Sequence, residues 1–183
     1  MKRTGKWISV AGICLVLATV ARAQETTANP VTASAKEIFD RQAGRILASA
    51  NEMPGDKYSY HPTPEQWTFG KIISHVAQSD FAVCAMISDN PAPQDFKVTE
   101  TDPKEKLVPA VKASFDFCTQ ALAKLQDSQM GDPITFFGGR KTPRSRAVIE
   151  LVSDLVDHYS QLASYLRLNG MLPPSAQPPK PAK

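Results

Sequence analysis

The sequence predicts an all-α protein with the architecture of a four-helix bundle. Three observations predict this fold. Four segments place apolar residues at helical spacings of three and four, helix-start residues precede these segments, and proline or glycine separates them. Because each amphipathic helix has one apolar face to bury, four such helices are expected to pack around one core. We place this bundle at residues 34–172.

The first 23 residues predict a cleaved secretory signal peptide. The segment has three basic residues in its first six positions, a mostly apolar stretch over 7–21, and the small-x-small sequence Ala-Arg-Ala at 21–23. The apolar run of about 15 residues is shorter than the roughly 20 that span a bilayer. We therefore expect cleavage before Gln24, export to the periplasm or the medium, and no transmembrane segment after processing.

Removal of this segment changes the charge of the chain. The full sequence has 21 Lys and Arg residues against 18 Asp and Glu residues, a net charge of +3. The first 23 residues hold four basic residues and no acidic ones, which leaves 17 against 18 and a net charge of −1. Because nucleic-acid binding depends on a positive field, this balance argues against a nucleic-acid partner.

A capping box predicts the start of the first helix. Residues 24–33 are polar and are expected to form a flexible lead-in. Ser34 suits the N-cap, Glu37 follows three residues later, and the helical pattern continues to about Asn51. Residues 53–66 contain three prolines and a glycine, which predict a loop.

The second and third helices follow this loop. The second is predicted to begin near Thr68 and to end at the Asn-Pro-Ala-Pro sequence of residues 90–93. The third has the clearest start, with Asp102 at the N-cap, Pro103 at the first helical position and Glu105 in the capping-box position.

The fourth helix follows a glycine-containing segment. Residues 128–141 are expected to be a loop with room for a short extended piece. Thr142 and Pro143 suit the N-cap and first position of the helix, and Gly170 suits its end. The tail of residues 173–183 contains five prolines and is expected to be disordered.

Two histidines lie where the bundle core is expected. His75 borders the apolar face of the second helix, and His158 lies on that of the fourth. Asp154 is one turn before His158 and about 40° from it around the helix axis, whereas Asp157 points elsewhere. Two imidazoles and a carboxylate suit Zn²⁺, Ni²⁺ or Fe²⁺. We therefore predict a divalent-metal site at His75, Asp154 and His158.

The same three residues also allow a metal-free explanation. A histidine on an apolar face is commonly a core residue, and an acid one turn away can be its hydrogen-bond partner. Under this hypothesis the chain is a non-catalytic binding or stress-associated bundle. Metal content distinguishes the two hypotheses.

Two segments of the sequence resemble the DinB-like family, which is named for DNA-damage-inducible proteins. They are residues 58–75 and residues 157–170, and the resemblance extends over nearly all of the processed chain. It implies a four-helix bundle, commonly a homodimer, with a metal site of three histidines. His75 and His158 match two of these positions, and Asp154 stands at the third.

The resemblance also implies a class of chemistry. Characterised relatives include metal-dependent transferases and isomerases that use low-molecular-weight thiols. A small-molecule transferase is therefore implied, and hydrolysis by an activated water is the alternative. The family name suggests DNA repair as well, but the predicted export and the charge of −1 argue against it.

Two further features could have functional roles. Cys84 and Cys118 lie on apolar helix faces, so an exported protein could join them in a disulfide, with two buried thiols as the alternative. A basic cluster at the start of the fourth helix either binds an anion or forms a solvated face. Its members are Arg140, Lys141, Arg144 and Arg146.

Overall fold

The computed structural model describes residues 28–178 and contains the predicted bundle. Its four long helices are α1 Pro30–Glu52, α2 Phe69–Ser88, α3 Lys104–Ala123 and α4 Arg144–Leu168. The all-α fold class is therefore confirmed. The predicted signal peptide lies outside the described residues. Among the helices described, none combines the length and apolar character needed to cross a membrane.

One continuous core lies between the helices. Both α1 and α2 pack against α3 and α4, so every helix contributes its apolar face to the centre. The predicted face of α4 is buried throughout, including its one polar member, His158. Because α2 and α4 are direct neighbours, side chains on their facing surfaces can meet inside the bundle. The contact between α2 and α4 brings His75 close to Asp154 and His158.

The first helix begins earlier than predicted, at Pro30, because the N-cap is Asn29, five residues before the predicted Ser34. Ser34 is inside the helix, where its hydroxyl donates to the Pro30 carbonyl at 2.8 Å. The free amides of the first turn are satisfied by a distant residue, because the Asp127 carboxylate accepts from Val31 N at 2.9 Å and from Thr32 N at 2.8 Å. Residues 30–33 of the predicted lead-in are therefore helical.

The starts of α3 and α4 each differ slightly from the prediction. Asp102 is not the N-cap of α3; its carboxylate accepts from Thr99 N at 2.7 Å and pairs with Lys106 Nζ at 2.8 Å. Before α4, residues 128–143 contain an antiparallel hairpin of strands β1 Pro133–Thr135 and β2 Lys141–Pro143. Thr142 therefore belongs to a strand and does not cap the helix.

The other helix boundaries follow local signals and agree with the prediction. Thr68 caps α2 by accepting a hydrogen bond from Lys71 N at 3.0 Å. Gly170 follows α4 with a φ of +74°, in the left-handed region that favours glycine.

The start of the C-terminal tail is ordered, contrary to the prediction. Pro174–Ala176 form a short 3₁₀ turn. Ser175 N donates to the Tyr159 hydroxyl at 2.9 Å, and the Gln177 side chain donates to Glu52 at 2.8 Å. These contacts hold residues 173–178 against the bundle, and the rest of the tail lies outside the described residues.

Cys84 on α2 and Cys118 on α3 lie at disulfide-bonding distance. Their Cα atoms are 5.2 Å apart, and both side chains are fully buried. This arrangement agrees with the predicted pairing and joins two neighbouring helices through the core.

Candidate metal centre

The three predicted ligands meet between α2 and α4. One ligand atom from each of His75, Asp154 and His158 lies within 4.8 Å of the other two. His158 Nε2 is 3.3 Å from Asp154 Oδ1, and the two imidazole ring centroids are 4.9 Å apart. The sequence-predicted trio is therefore one cluster in the folded chain.

The donor set of this cluster fits a divalent transition metal. Zinc at about 2.0–2.1 Å from each of its ligands requires donor atoms roughly 3.3 Å apart in a tetrahedral arrangement. The pair of His158 and Asp154 already has that separation. Side-chain rotation has to bring the His75 donor closer. Two imidazoles and one carboxylate suit zinc, nickel and iron alike and leave at least one coordination position open.

The pKa shifts of Asp154 and His75 also suit a cation. Burial pushes the pKa of Asp154 upward, but its hydrogen bond and charge interaction with His158 outweigh this effect and lower the pKa below 3.8. Burial, together with the neighbouring His158, lowers the pKa of His75 below 6.5. An ionised carboxylate and a neutral imidazole are the forms that ligate metals.

Trp67 covers the two imidazoles. Its ring stacks on His158 with centroids 6.0 Å apart and contacts His75 edge-on at 5.0 Å. The Tyr165 hydroxyl donates to the Trp67 carbonyl at 2.8 Å and fixes this residue in place. The indole is still 38% exposed, so it shields the cluster from one side without sealing it.

The loop that carries Trp67 is held by a close backbone approach at Gly70. Gly70 N donates to the Tyr58 carbonyl at 2.8 Å. A Cβ atom at position 70 would lie 3.0 Å from the Glu100 carbonyl oxygen and 3.1 Å from that of Tyr58. Glycine is therefore needed where α2 begins. His61 in the same loop is exposed and is not part of the cluster; its Nδ1 lies 2.6 Å from the Thr63 carbonyl oxygen.

A cavity of about 180 Å³ opens beside the cluster. Its wall includes two of the ligands, His75 and Asp154, so an open coordination position would face this space. Ser79 also lines it, with its hydroxyl 3.4 Å from Asp154 Oδ2. We call this space the metal cavity. Its remaining lining residues are Asp80, Val83, Phe137, Glu150 and Leu151.

Asp80 is a residue of the site that was not predicted from the sequence. Its side chain is only 1% exposed, and its Oδ2 has no hydrogen-bond partner among the described residues. Burial, and secondarily the Asp154 charge, raises the pKa of Asp80 well above 3.8. The signal was present in the sequence, because Asp80 follows Val76 by four residues on the buried face of α2. A protonated carboxyl at this wall can donate a hydrogen bond into the cavity.

We expect Asp80→Asn to stabilise the metal-free protein near pH 7 by about 1–3 kcal/mol, because the amide is neutral and removes the cost of a buried ionisable carboxyl. The folded-state pKa of Asp80 is raised, so the wild type loses stability as pH rises above the unfolded value of 3.8. The advantage of the variant should therefore grow with pH. Urea denaturation between about pH 4 and pH 7 measures it.

The matched control for this prediction is Asp157→Asn, which changes an exposed carboxylate of α4. It should show no comparable growth of stability with pH. An advantage of Asp80→Asn that is the same at both ends of the pH range would contradict the assigned protonation.

The basic cluster before and within α4 separates into two parts. Arg144 is 6% exposed and donates to the Ile87 carbonyl and, at 2.8 Å, to Asp89 Oδ2. It therefore ties the start of α4 to the end of α2 and is not part of a solvated face. Arg140, Lys141 and Arg146 are exposed and line a second cavity, of about 170 Å³.

Comparisons with known proteins agree with this fold. Residues 38–162 match the DinB superfamily. Among solved structures, a DinB-like protein from Bacillus subtilis is 21% identical, with a TM-score of 0.63 over 79% of this chain and 98% of that one. A DinB-like protein from Bacillus cereus is 15% identical, with a TM-score of 0.63 over 78% and 95%.

A third similar structure is that of an enzyme. A mycothiol-dependent maleylpyruvate isomerase is 15% identical, with a TM-score of 0.59 over 72% of this chain and 60% of the enzyme. The chain thus spans about three fifths of the length of that enzyme, and the likeness concerns the fold. No curated protein matches this chain in sequence.

Proposed function

Because this chain belongs to the DinB superfamily, we propose that it binds one divalent metal ion through His75, Asp154 and His158 and acts on a small molecule in the metal cavity. The observation that carries this proposal is the meeting of three ligand atoms within 4.8 Å beside an open cavity. Isolated acid–histidine pairs are common in helices, but a second imidazole from another helix at this distance is the arrangement that a metal requires.

The residues around the cluster have separate roles in this proposal. A bound divalent ion supplies Lewis-acid chemistry, which activates a thiol or a water and polarises a carbonyl. Ser79 orients the Asp154 carboxylate, and Trp67 limits the access of water to the imidazoles. The buried carboxyl of Asp80 lies at the cavity wall, and its raised pKa favours the protonated form that can donate a hydrogen bond.

Thiol-dependent transfer or isomerisation is the reaction class we favour. The fold is shared with a mycothiol-dependent maleylpyruvate isomerase, and the family resemblance implies chemistry with low-molecular-weight thiols. Hydrolysis of a small molecule is the alternative for the same residues, because both reactions need a nucleophile activated beside an electrophile. The two reaction classes differ in their nucleophile, which is a thiol in the first and a water in the second.

The proposal extends to where the protein works and with what. The signal-peptide pattern of residues 1–23 supports export to the periplasm or the medium. Two buried cysteines at disulfide-bonding distance suit an oxidising compartment. We propose a small molecule as the partner, without nucleic acid, and a homodimer as the assembly.

A metal-free bundle is the second candidate function. The direct contact of 3.3 Å between His158 Nε2 and Asp154 Oδ1 favours it, because the two side chains satisfy one another without an ion. In that case the trio stabilises the core, and the chain acts as a non-catalytic binding or stress-associated protein.

Metal content is the experiment that tests the proposal. Protein expressed from the full coding sequence and purified without a histidine tag is incubated with Zn²⁺, Ni²⁺ or Fe²⁺, desalted and subjected to elemental analysis. We expect about one metal ion per chain in the wild type and less than about one tenth of that in His75→Ala and in His158→Ala. His61→Ala is the matched control and should retain the metal.

Either of two results contradicts the proposal. The wild type could hold no metal above background, or both histidine variants could retain it. A wild type without metal whose His158→Ala variant only loses stability would establish the second candidate function.

A further inference from the structure

We propose that the second cavity, bordered by the hairpin and the start of α4, binds a carboxylate or phosphate group of the substrate. We call it the cationic cavity. The inference rests on the proposed function and adds the substrate class: a small anionic molecule whose reactive end lies in the metal cavity. The cationic cavity has a volume of about 170 Å³ and is lined by Phe136, Arg140, Lys141, Thr142 and Arg146.

The positive charge of this cavity is largely uncompensated. Arg146 pairs with Glu150 at 2.5 Å. Within residues 28–178, neither Arg140 nor Lys141 has a carboxylate within ion-pair distance. Lys141 Nζ donates to the Thr135 hydroxyl at 2.7 Å, which holds its ammonium group against the hairpin. Three cations with one carboxylate around a concave space form an anion site.

Side chains, and not helix amides, supply the recognition. At the start of α4, Arg144 N donates to the Asp132 carbonyl at 2.8 Å, and Ser145 N donates to the Met130 carbonyl at 3.0 Å. These amides are therefore occupied. The guanidinium groups of Arg140 and Arg146 offer planar pairs of donors that match the oxygens of a carboxylate or a phosphate.

The cationic cavity adjoins the metal cavity, and two pairs of neighbouring side chains lie at the boundary between them. Phe136 lines the first and Phe137 the second, and their ring centroids are 4.8 Å apart. Arg146 and Glu150, paired across one helical turn, likewise line opposite sides. Arg146 precedes Asp154 by eight residues, which is about 12 Å along a helix. A small molecule of that length that lies across this boundary therefore spans the distance between the two cavities.

The charges of the two cavities orient such a molecule. The wall of the metal cavity includes the carboxyl groups of Glu150 and Asp154, so it disfavours a second anionic group away from the metal. The neighbouring cavity attracts that group instead. This separation fixes which end of the substrate approaches the metal and raises the association rate of anions.

Binding of simple anions tests the inference without requiring the metal. Uniformly ¹⁵N-labelled protein, as purified and after treatment with a chelator, is titrated with inorganic phosphate or with succinate while sodium chloride keeps the ionic strength constant. We expect saturable shifts in the amide signals of residues 134–147, with a dissociation constant on the order of millimolar. The stronger of the two probes identifies the anionic group.

The variants decide where the anion binds. Arg140→Ala/Lys141→Ala should weaken binding about tenfold or more, because it removes two charged donors. Arg146→Gln provides a second test, because it removes a charge of the cationic cavity without substituting a residue of the hairpin. Lys97→Ala/Arg167→Ala removes the same charge from exposed positions outside the cationic cavity and should bind like the wild type.

Three results would overturn the inference. The first is a set of amide signal shifts that never saturate. The second is equal anion affinity in the wild type and in Arg140→Ala/Lys141→Ala. The third is binding of the protein to vesicles of anionic lipid without saturable binding of phosphate or succinate. Loss of metal binding with retained anion binding would refute the proposed function alone, since the titration does not depend on the metal.

Discussion

Asp154→Ala should lower the affinity for Zn²⁺ by on the order of 100-fold or more. Removing the hydrogen-bond partner of a metal ligand typically lowers the metal affinity about 10–100-fold. Removing the ligand itself should lower the affinity at least as much. Asp154 supplies the negative charge of the cluster and lies 3.3 Å from His158. Asp80 is not part of the three-residue cluster, and burial raises the pKa of its carboxyl, so it is a poor substitute for Asp154. Competition with a chelating dye measures the affinity.

Two variants make this prediction specific. Asp154→His places an imidazole at the position where the family resemblance implies a third histidine. This variant should keep the zinc affinity within about tenfold of the wild type. Asp157→Ala removes an exposed carboxylate three residues away and should have no effect. Wild-type affinity in Asp154→Ala would exclude this carboxylate as a ligand and would leave it as the hydrogen-bond partner of His158.

Bound metal should also stabilise the fold, because the ligands come from two helices. Any ion that binds only the native state adds about 2.7 kcal/mol when its concentration is 100 times the dissociation constant. Asp154→Ala should lose this gain at the same zinc concentration, and Asp157→Ala should retain it. Thermal unfolding with and without zinc therefore checks the affinity result by an independent property.

Local signals allowed most of the fold to be predicted. The apolar spacing of α4 and the glycine that ends it depend only on neighbouring residues, and both were found from the sequence. The start of α1 could not be found in the same way. Its amides are satisfied by Asp127, which is 96 residues beyond Val31, so the local capping box at Ser34 was misleading.

The candidate site was predictable where a polar side chain lies on an otherwise apolar helix face. His158 interrupts an apolar face, and such an interruption is visible in a sequence. Asp80 is the same kind of interruption on α2 and was overlooked. The position of Trp67 over the imidazoles was not predicted, because it depends on the hydrogen bond from Tyr165, which is 98 residues away in sequence.

Breaking the Cys84–Cys118 link should cause a large loss of stability. The two cysteines are 34 residues apart in sequence. A cross-link that closes a loop of this length restricts the unfolded chain by about 3–4 kcal/mol. We therefore expect Cys84→Ala/Cys118→Ala to lower the free energy of unfolding of the oxidised protein by about that amount. Urea denaturation, with the midpoint and the slope fitted together, measures it.

The controls distinguish a cross-link from the burial of two sulfur atoms. Either single substitution breaks the link, so Cys84→Ala alone should cost nearly as much as the double change. A reductant should shift the wild type toward the double variant and leave that variant unchanged. If both cysteines are free thiols, a reductant has no effect on the wild type, and the stability losses of the two single substitutions add up to that of the double substitution. That result would remove the support that the cysteines give to export, because an oxidising compartment was the reason to expect the link.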